Sequence, residues 1–387
     1  MRASFRVQIG FAPRLAAFYA SIFALSGVQL PFFPVWLAAK GLDAQMIGVV
    51  LAAPMVARIF AIPLAAHAAD RRDALRGTIV LAAAASVGGF LLVALAQGPI
   101  AILLAYALAS FAFAPVMPLS ETYALKGLAA RGRAYGPVRL WGSAAFILGT
   151  FAAGFAADII PTRHLIWLMV AASLVMAAVA LSLGPLHVTP PETAPAERRS
   201  LLRDPAFIAV LIAASLIQSS HSVYYAFSAL QWRALGLDGT AVAALWGLGV
   251  LAEIVLFAAQ GRLPVFARPE LFLMLGAAGG ALRWSAMALD PPAAALPALQ
   301  LLHAASFGAT HLGTLGFLAA KAPARQFATA QGIVAVTGGI TMAGATALSG
   351  VLFAAFGSIA YAAMASAAVA GGAAAYVAHR AARNMAS

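Results

Sequence analysis

The chain has 387 residues, 63% hydrophobic and only 9% charged, whereas soluble domains carry about 25% charged residues; a soluble globule is excluded. The apolar runs are of helical length and lack the roughly ten-residue alternation of barrel strands, so the fold class is all-α, an integral membrane bundle. A net charge of +12 would suggest nucleic acid in a soluble protein, but its placement has a membrane explanation and no nucleic-acid partner is expected; with no cysteine, disulfides, thiol catalysis and thiolate metal sites are excluded.

In chain order, the basic segment MRASFRVQIGFAPR leads into a long apolar run with neither a short hydrophobic core nor a convincing cleavage site, and reads as an uncleaved first span. Twelve spans are predicted, near 14–39, 44–67, 76–96, 98–125, 136–158, 163–185, 205–232, 240–262, 269–289, 292–320, 325–354 and 357–379. Gly98-Pro99, Pro161 and Pro291-Pro292 mark connections. Pro31, Pro34, Pro54, Pro63, Pro115 and Pro118 are expected to interrupt spans 1, 2 and 4, letting them bend around a central volume.

Lys and Arg fix an expected orientation. With the N-terminus cytoplasmic, the other side receives only Lys40, Arg163 and Arg233; Arg58 and Arg283 fall inside spans, and the rest of the 24 basic residues are cytoplasmic. Both termini are then cytoplasmic, in a plasma (inner) membrane. The polar segment 186–204, with Pro190, Pro191 and Pro195, divides residues 1–185 from 205–387, six spans each.

The two divisions echo each other. A shift of 190 lays Gly142, Gly149 and Gly154 on Gly332, Gly339 and Gly344, Arg131 on Lys321, and Glu121 on His311. A shift of 195 lays Gly41-Leu42-Asp43 on Gly236-Leu237-Asp238 and Arg58 on Glu253. Three glycines and a basic residue in one frame indicate an internal duplication, the usual build of secondary transporters.

Ionised side chains inside hydrocarbon cost roughly 2.5–3.5 kcal/mol each on insertion scales, so those that occur mark a pathway or a pairing. They are Arg58, Glu121, Glu253 and Arg283, with His221, His303 and His311, and Arg139 at the inner edge of span 5. Glu121 and Arg139 flank the basic hairpin Lys126–Arg133 and form the first suspected pair. Several polar residues recur at helical spacing: Trp246, Glu253 and Gln260 in span 8; Gln218, Ser222, Tyr225 and Trp232 in span 7; and His303, Phe307, Thr310 and Thr314 in span 10, with His311 beside them. These faces suit a wet cavity. The plainer alternatives are that Glu253 bridges helices to Arg139 or Arg58, that Trp36, Trp167 and Trp232 are interface anchors, and that the loop Asp70-Arg71-Arg72-Asp73 after His67 is a gate latch or a solvated turn.

The blocks GVQLPFFPVWLAAKGL (27–42), YGPVRLWGSAAFILGT (135–150), QSSHSVYYAFSALQW (218–232) and LWGLGVLAEIVLFA (245–258) resemble, in order and across all twelve spans, the 3-phenylpropionate permease branch of the major facilitator superfamily, related to nucleoside/proton symporters and lactose permease. The resemblance implies two pseudo-symmetric six-helix bundles around a midplane site, alternating access and proton-coupled uptake. Similar symporters place a Glu on span 4, an Arg on span 5, a Glu on span 8, an Arg on span 9 and a His on span 10, matched here by Glu121, Arg139, Glu253, Arg283 and His303. They carry a second carboxylate one turn after that His, where this chain has Ser306, so proton coupling does not transfer whole. The loop signature after span 2 keeps acid and base in Asp70-Arg71-Arg72 but lacks its leading glycine, and the proline-containing signature of drug antiporters is absent from span 5.

These readings converge on a secondary transporter importing a small organic solute with a proton; the charge balance of the expected cavity favours an anion, and the resemblance implies an aromatic carboxylate. Expected proton-coupling residues are Glu253 first, then His303 and Glu121. Expected substrate contacts are Arg58, Arg139, His221, Tyr225, Trp246, Arg283 and His311, with Arg283 taking the carboxylate through its rigid fork and Tyr225 and Trp246 taking the ring. The expected partners are substrate, protons and the lipid bilayer, in a monomer with no cofactor and no metal. The alternatives are a nucleoside or other metabolite permease, an exporter, or a transport-inactive receptor of the same fold. No phosphate loop, paired metal ligands or nucleophile elbow speaks for an enzyme.

Overall fold

A computed structural model describes residues 10–71, 74–186, 201–259, 268–322 and 326–384. Arg2 and Arg6, Arg72 and Asp73, residues 187–200 of the expected connection, Gln260, Arg262 and Arg325 lie outside the described residues. The helices are α1 (Phe11–Ala39), α2 (Ala44–Arg71), α3 (Leu75–Leu95), α4 (Pro99–Phe113), α5 (Val116–Ala129), α6 (Gly136–Ile159), α7 (Ile166–Leu181), α8 (Pro205–Ser219), α9 (Ser222–Ala234), α10 (Gly239–Ala259), α11 (Pro269–Ala288), α12 (Leu296–Leu301), α13 (Thr310–Lys321), α14 (Phe327–Phe356) and α15 (Ala360–Asn384). No strand occurs among the described residues.

Ten helical stretches in the described residues are long and apolar enough to cross a membrane. Two of them, 99–129 and 205–234, each join two helices through a one-turn break, and 329–381 runs through α14 and α15 with only the turn Gly357–Ile359 between. The tenth expected span is divided among α12, a π-helical turn at Ala304–Ala309, and α13. The expected interruptions of spans 1 and 2 are corrected: α1 runs through Pro31 and Pro34, and α2 through Pro54 and Pro63. Packed neighbours hold these helices together although each proline removes a backbone donor. Of the three spans with internal prolines, only span 4 breaks, at Ala114-Pro115.

Side chains such as Leu81, Leu104, Leu148 and Val255 are exposed around the outside. With lipid as the solvent, burial of apolar surface does not drive helices together, so small residues and hydrogen bonds decide which helices touch. Gly27 lets α1 meet α6, where Thr150 Oγ1 donates to the Gly27 carbonyl at 3.0 Å. A Cβ on Gly48 would strike Thr346 and Gly350, and one on Gly154 would strike Gly239, so α2 crosses α14 and α6 crosses α10 at backbone contact. Trp36 and Trp232, expected as interface anchors, are buried, and the Trp36 indole donates to the Arg163 carbonyl at 3.0 Å; Trp167 is exposed.

The repeated tripeptide has a repeated geometry. Gly41 and Gly236 follow α1 and α9 with φ of 85° and 87°, conformations that favour glycine. Asp43 Oδ1 then accepts from the Met46 amide at 2.8 Å, and Asp238 Oδ1 from the Ala241 amide at 2.6 Å, each opening the next helix.

The N-terminus of α10 is also held from elsewhere in the chain. Asp158, at the end of α6, accepts from the Gly239 amide at 2.5 Å and, through its other oxygen, from the Thr240 amide at 3.0 Å and hydroxyl at 2.9 Å; Arg233 lies 3.7 Å away. Asp158→Ala is expected to cost about 0.5–2 kcal/mol by analogy with loss of an N-cap, and Asp158→Asn, which keeps an acceptor, less. Thermal unfolding of the purified variants in detergent checks the order.

Candidate functional site

Two adjoining cavities lie among these helices. The first lobe, about 300 Å³, is walled by Phe23 and Leu30 of α1, by Arg139, Ser143 and Phe146 of α6, and by Tyr224, Tyr225, Trp246, Val250, Glu253, Ile254, Phe257, His303, Phe307 and His311. The second, about 290 Å³, takes Ser26, Gln29 and Leu30 of α1, Leu51, Pro54, Met55 and Arg58 of α2, Phe90, Tyr106, Ser110, Phe113 and Ala114, together with Tyr225, Ala226, Met342 and Thr346. Leu30 and Tyr225 line both, so the lobes meet there. A larger groove of about 640 Å³, between α1 and the start of α6, is lined by alanines and prolines with Arg133 and Trp141 and gathers no polar cluster.

Behind the first lobe lies a polar knot. Arg283 of α11 is fully buried. Its Nη2 donates to Gln300 Oε1 at 2.6 Å, and its Nη1 to His303 Nδ1 at 3.0 Å and Ser306 Oγ at 3.5 Å. Tyr224 and Trp284 offer ring faces 4.5 and 4.6 Å from the guanidinium carbon. These contacts spread the charge in place of a counter-ion; no carboxylate lies within 4.0 Å of Arg283 among the described residues.

The knot fixes hydrogens. Guanidinium nitrogens only donate, so His303 Nδ1 accepts and its hydrogen sits on Nε2, which faces Glu253 Oε2 at 3.8 Å. His221 Nδ1 lies 3.2 and 3.1 Å from the carbonyls of Ile217 and Gln218 and therefore donates. Its Nε2, 3.1 Å from Ser306 Oγ, accepts the serine hydrogen.

The π turn positions the histidines, as such insertions do at functional sites. It brings His303, Phe307 and His311 into a ladder of parallel rings, with centroids 5.2 and 6.4 Å apart. The expected common face of His303, Phe307, Thr310 and Thr314 is corrected by the same turn. Thr310 and Thr314 are buried away from the lobes, bonding the carbonyls of Ser306 and Thr310 at 2.8 Å, and Thr310 packs on Gly276 of α11. In span 7 the break at 220–221 likewise leaves only Tyr225 of the predicted stripe on the cavity. Ser222 donates to Met364 Sδ at 3.1 Å, and Trp232 is buried.

Of the residues predicted from sequence, Arg58, Arg139, Tyr225, Trp246, Glu253, His303 and His311 line the lobes. Arg283 and His221 sit behind the wall, so Arg283 touches His303, Gln300 and Ser306 and is shut off from the cavity expected to hold its carboxylate. Glu121 is half-buried and lines neither lobe, and its expected pairing with Arg139 is not closed to 4.0 Å. Arg139 instead lies 4.0 Å from the Phe23 ring, in space that Gly142 leaves open. Sequence reasoning missed Gln29, whose Nε2 donates to Tyr106 Oη at 2.6 Å, and the knot residues Tyr224 and Gln300. All four are polar residues within apolar runs, a signal present in the sequence but passed over in favour of ionisable groups. Among the described residues no three His, Asp or Glu side chains are grouped to hold a metal ion.

A bundle of membrane-length helices with polar lobes inside it has the build of a membrane transporter, and the family comparison specifies the class. The model of the MFS_1-like family matches residues 13–363, and the chain belongs to that family: it is a multi-pass membrane transporter and not an enzyme. It is 30% identical over 351 residues to the "Probable 3-phenylpropionic acid transporter" of Escherichia coli (strain K12), covering 88% of this chain and 90% of that one. It is 28% identical over 325 residues to the maltose permease of Geobacillus stearothermophilus, covering 83% and 82%. A crystal structure of a point mutant of the nucleoside transporter NupG shares the fold, with a TM-score of 0.85 at 16% identity, covering 95% of this chain and all of that one.

The contrast between the sealed Arg283 and the exposed Arg58 is measurable. Arg283→Leu leaves His303 Nδ1 unpaired and takes one of two partners from Gln300 Oε1, which keeps Tyr224, and from Ser306 Oγ, which keeps His221, and is expected to cost about 1–3 kcal/mol. Arg58→Leu loses only a 3.9 Å contact with Met55 Sδ and should stay within about 0.5 kcal/mol. Equal shifts in thermal unfolding would reject this division.

Proposed function

We propose that the protein is a secondary active transporter of the inner membrane that takes up a small aromatic carboxylate, of the 3-phenylpropionate kind, together with a proton. Residues 1–185 and 205–387 rock about the two lobes as pseudo-symmetric halves joined by 186–204, with both termini cytoplasmic and a single chain as the working unit. Support comes from the family, from the activity that the name of the Escherichia coli relative carries, over most of both chains, and from lobes lined by aromatic rings and guanidinium groups.

One observation carries the coupling. His303 presents a hydrogen to Glu253 at 3.8 Å while Arg283 occupies its other nitrogen. Protonating His303 at Nδ1 would break the Arg283 bond, so Glu253 is the group in the cluster free to take up a proton. Doing so removes its charge from a lobe that also holds Arg139, and a charge change at one site favours whichever conformation solvates the new state better. Glu253 is the coupling acid, His303 the neutral ring whose Nε2 lies 3.8 Å from it, and Arg283 the residue that positions His303. Tyr225 and Trp246 face the ring of the cargo.

Proteoliposomes test this. Labelled 3-phenylpropionate should exchange by counterflow and accumulate uphill under an imposed proton gradient. Glu253→Gln should keep the exchange and lose the accumulation. Undiminished uphill accumulation by the variant would remove Glu253 from coupling, and absence of exchange in the unaltered protein for every aromatic acid tried would reject this cargo class.

A further inference from the structure

We infer that the second lobe is the anion subsite and that Arg58 is the side chain that takes the carboxylate of the cargo, an inference that rests on the transport reading above. The first argument is charge. The first lobe pairs one guanidinium, Arg139, with one carboxylate, Glu253; the lining of the second contains Arg58 and no acidic residue. An anion entering the first lobe meets a like charge, and one entering the second meets only its opposite.

The second argument is availability. Arg283 is sealed behind the wall, its Nη1 and Nη2 bonded to His303, Ser306 and Gln300, and Arg139 lies over Phe23. Arg58 is exposed and lines its lobe, and among the described residues its one side-chain hydrogen-bond partner is Met55 Sδ at 3.9 Å, a weak acceptor. Leu51, Pro54, Met55 and Arg58 share a face of α2, so the guanidinium stands at the end of an apolar strip. A planar fork of donors on such a strip matches a carboxylate in two bonds at once.

A second donor is arranged opposite. Tyr106 Oη accepts from Gln29 Nε2 at 2.6 Å, which leaves the phenol hydrogen to be given to an oxygen in the lobe. Phe90, Phe113 and Met342 supply apolar wall, and Leu30 and Tyr225 open onto the first lobe. The cargo class that fits is a monocarboxylate with a short apolar body ending near Tyr225. A second carboxylate at the far end would meet Glu253. Cargo anion and coupled proton then occupy different lobes, divided by Tyr225.

Binding to purified protein tests this with labelled 3-phenylpropionate and its uncharged amide, in the unaltered chain and in Arg58→Gln, Arg58→Lys, Tyr106→Phe and Arg139→Gln, each checked for folding by thermal unfolding. The unaltered chain should prefer acid to amide. Arg58→Gln should weaken the acid about 10- to 100-fold and leave the amide nearly unchanged. Arg58→Lys should recover part of the loss, and Tyr106→Phe should weaken the acid by a smaller factor. Retention of the acid preference in folded Arg58→Gln, or its loss in Arg139→Gln alone, overturns the assignment of Arg58 while leaving the transport reading standing. If the unaltered chain binds neither compound, the transport reading for this cargo fails and the subsite with it.

Discussion

A fully buried guanidinium with no counter-ion among the described residues is the constraint around which the second half of this molecule is arranged. Arg283 is accommodated because α9, α11 and the span containing the π turn each deliver an uncharged acceptor or a ring face to it. A carboxylate in that place would have neutralised the charge and consumed it. With neutral partners, the charge remains available to order the hydrogens of its neighbours, and through His303 it reaches Glu253 on the cavity wall. The arginine therefore acts on the site at one remove, and the residue that meets solvent in the lobe is the acid.

The same economy governs the cavity. Its two lobes share Leu30 and Tyr225 but differ in charge: one holds an acid with a guanidinium, the other a guanidinium alone. Helices from both ends of the chain contribute to each, so a change in how α1, α2 and α6 sit against α9, α10 and α14 reshapes both together. That common wall links the shapes of the two lobes.

Much of this was legible in the residues. Apolar run lengths placed the helices, and the Gly-Leu-Asp repeat announced two turns of matching geometry, because a positive φ followed by a capping aspartate leaves few residue choices. Ionisable side chains in apolar runs led to Arg58, Arg139, Glu253, His303 and His311 on the lobes. What could not be read was register and depth. A π turn adds a residue to the helix period, which swung Thr310 and Thr314 away from the face that a regular helix would give them. Nothing in the residue type distinguishes an arginine that lines a cavity from one sealed behind it, so Arg283 was assigned to the cargo when its partners lay in the wall. Gln29 and Tyr106 escaped because their pairing joins distant spans and neither carries a formal charge.

Asp158 carries one more implication. Its carboxylate closes the start of α10 although it belongs to α6, and beside it Gly154 and Gly239 touch backbone to backbone. Any movement parting α6 from α10 strips three hydrogen bonds from one acid in a single event and leaves the first amides of α10 bare to water. Parting the seam therefore breaks a set of bonds that share one acid, beside a single backbone contact.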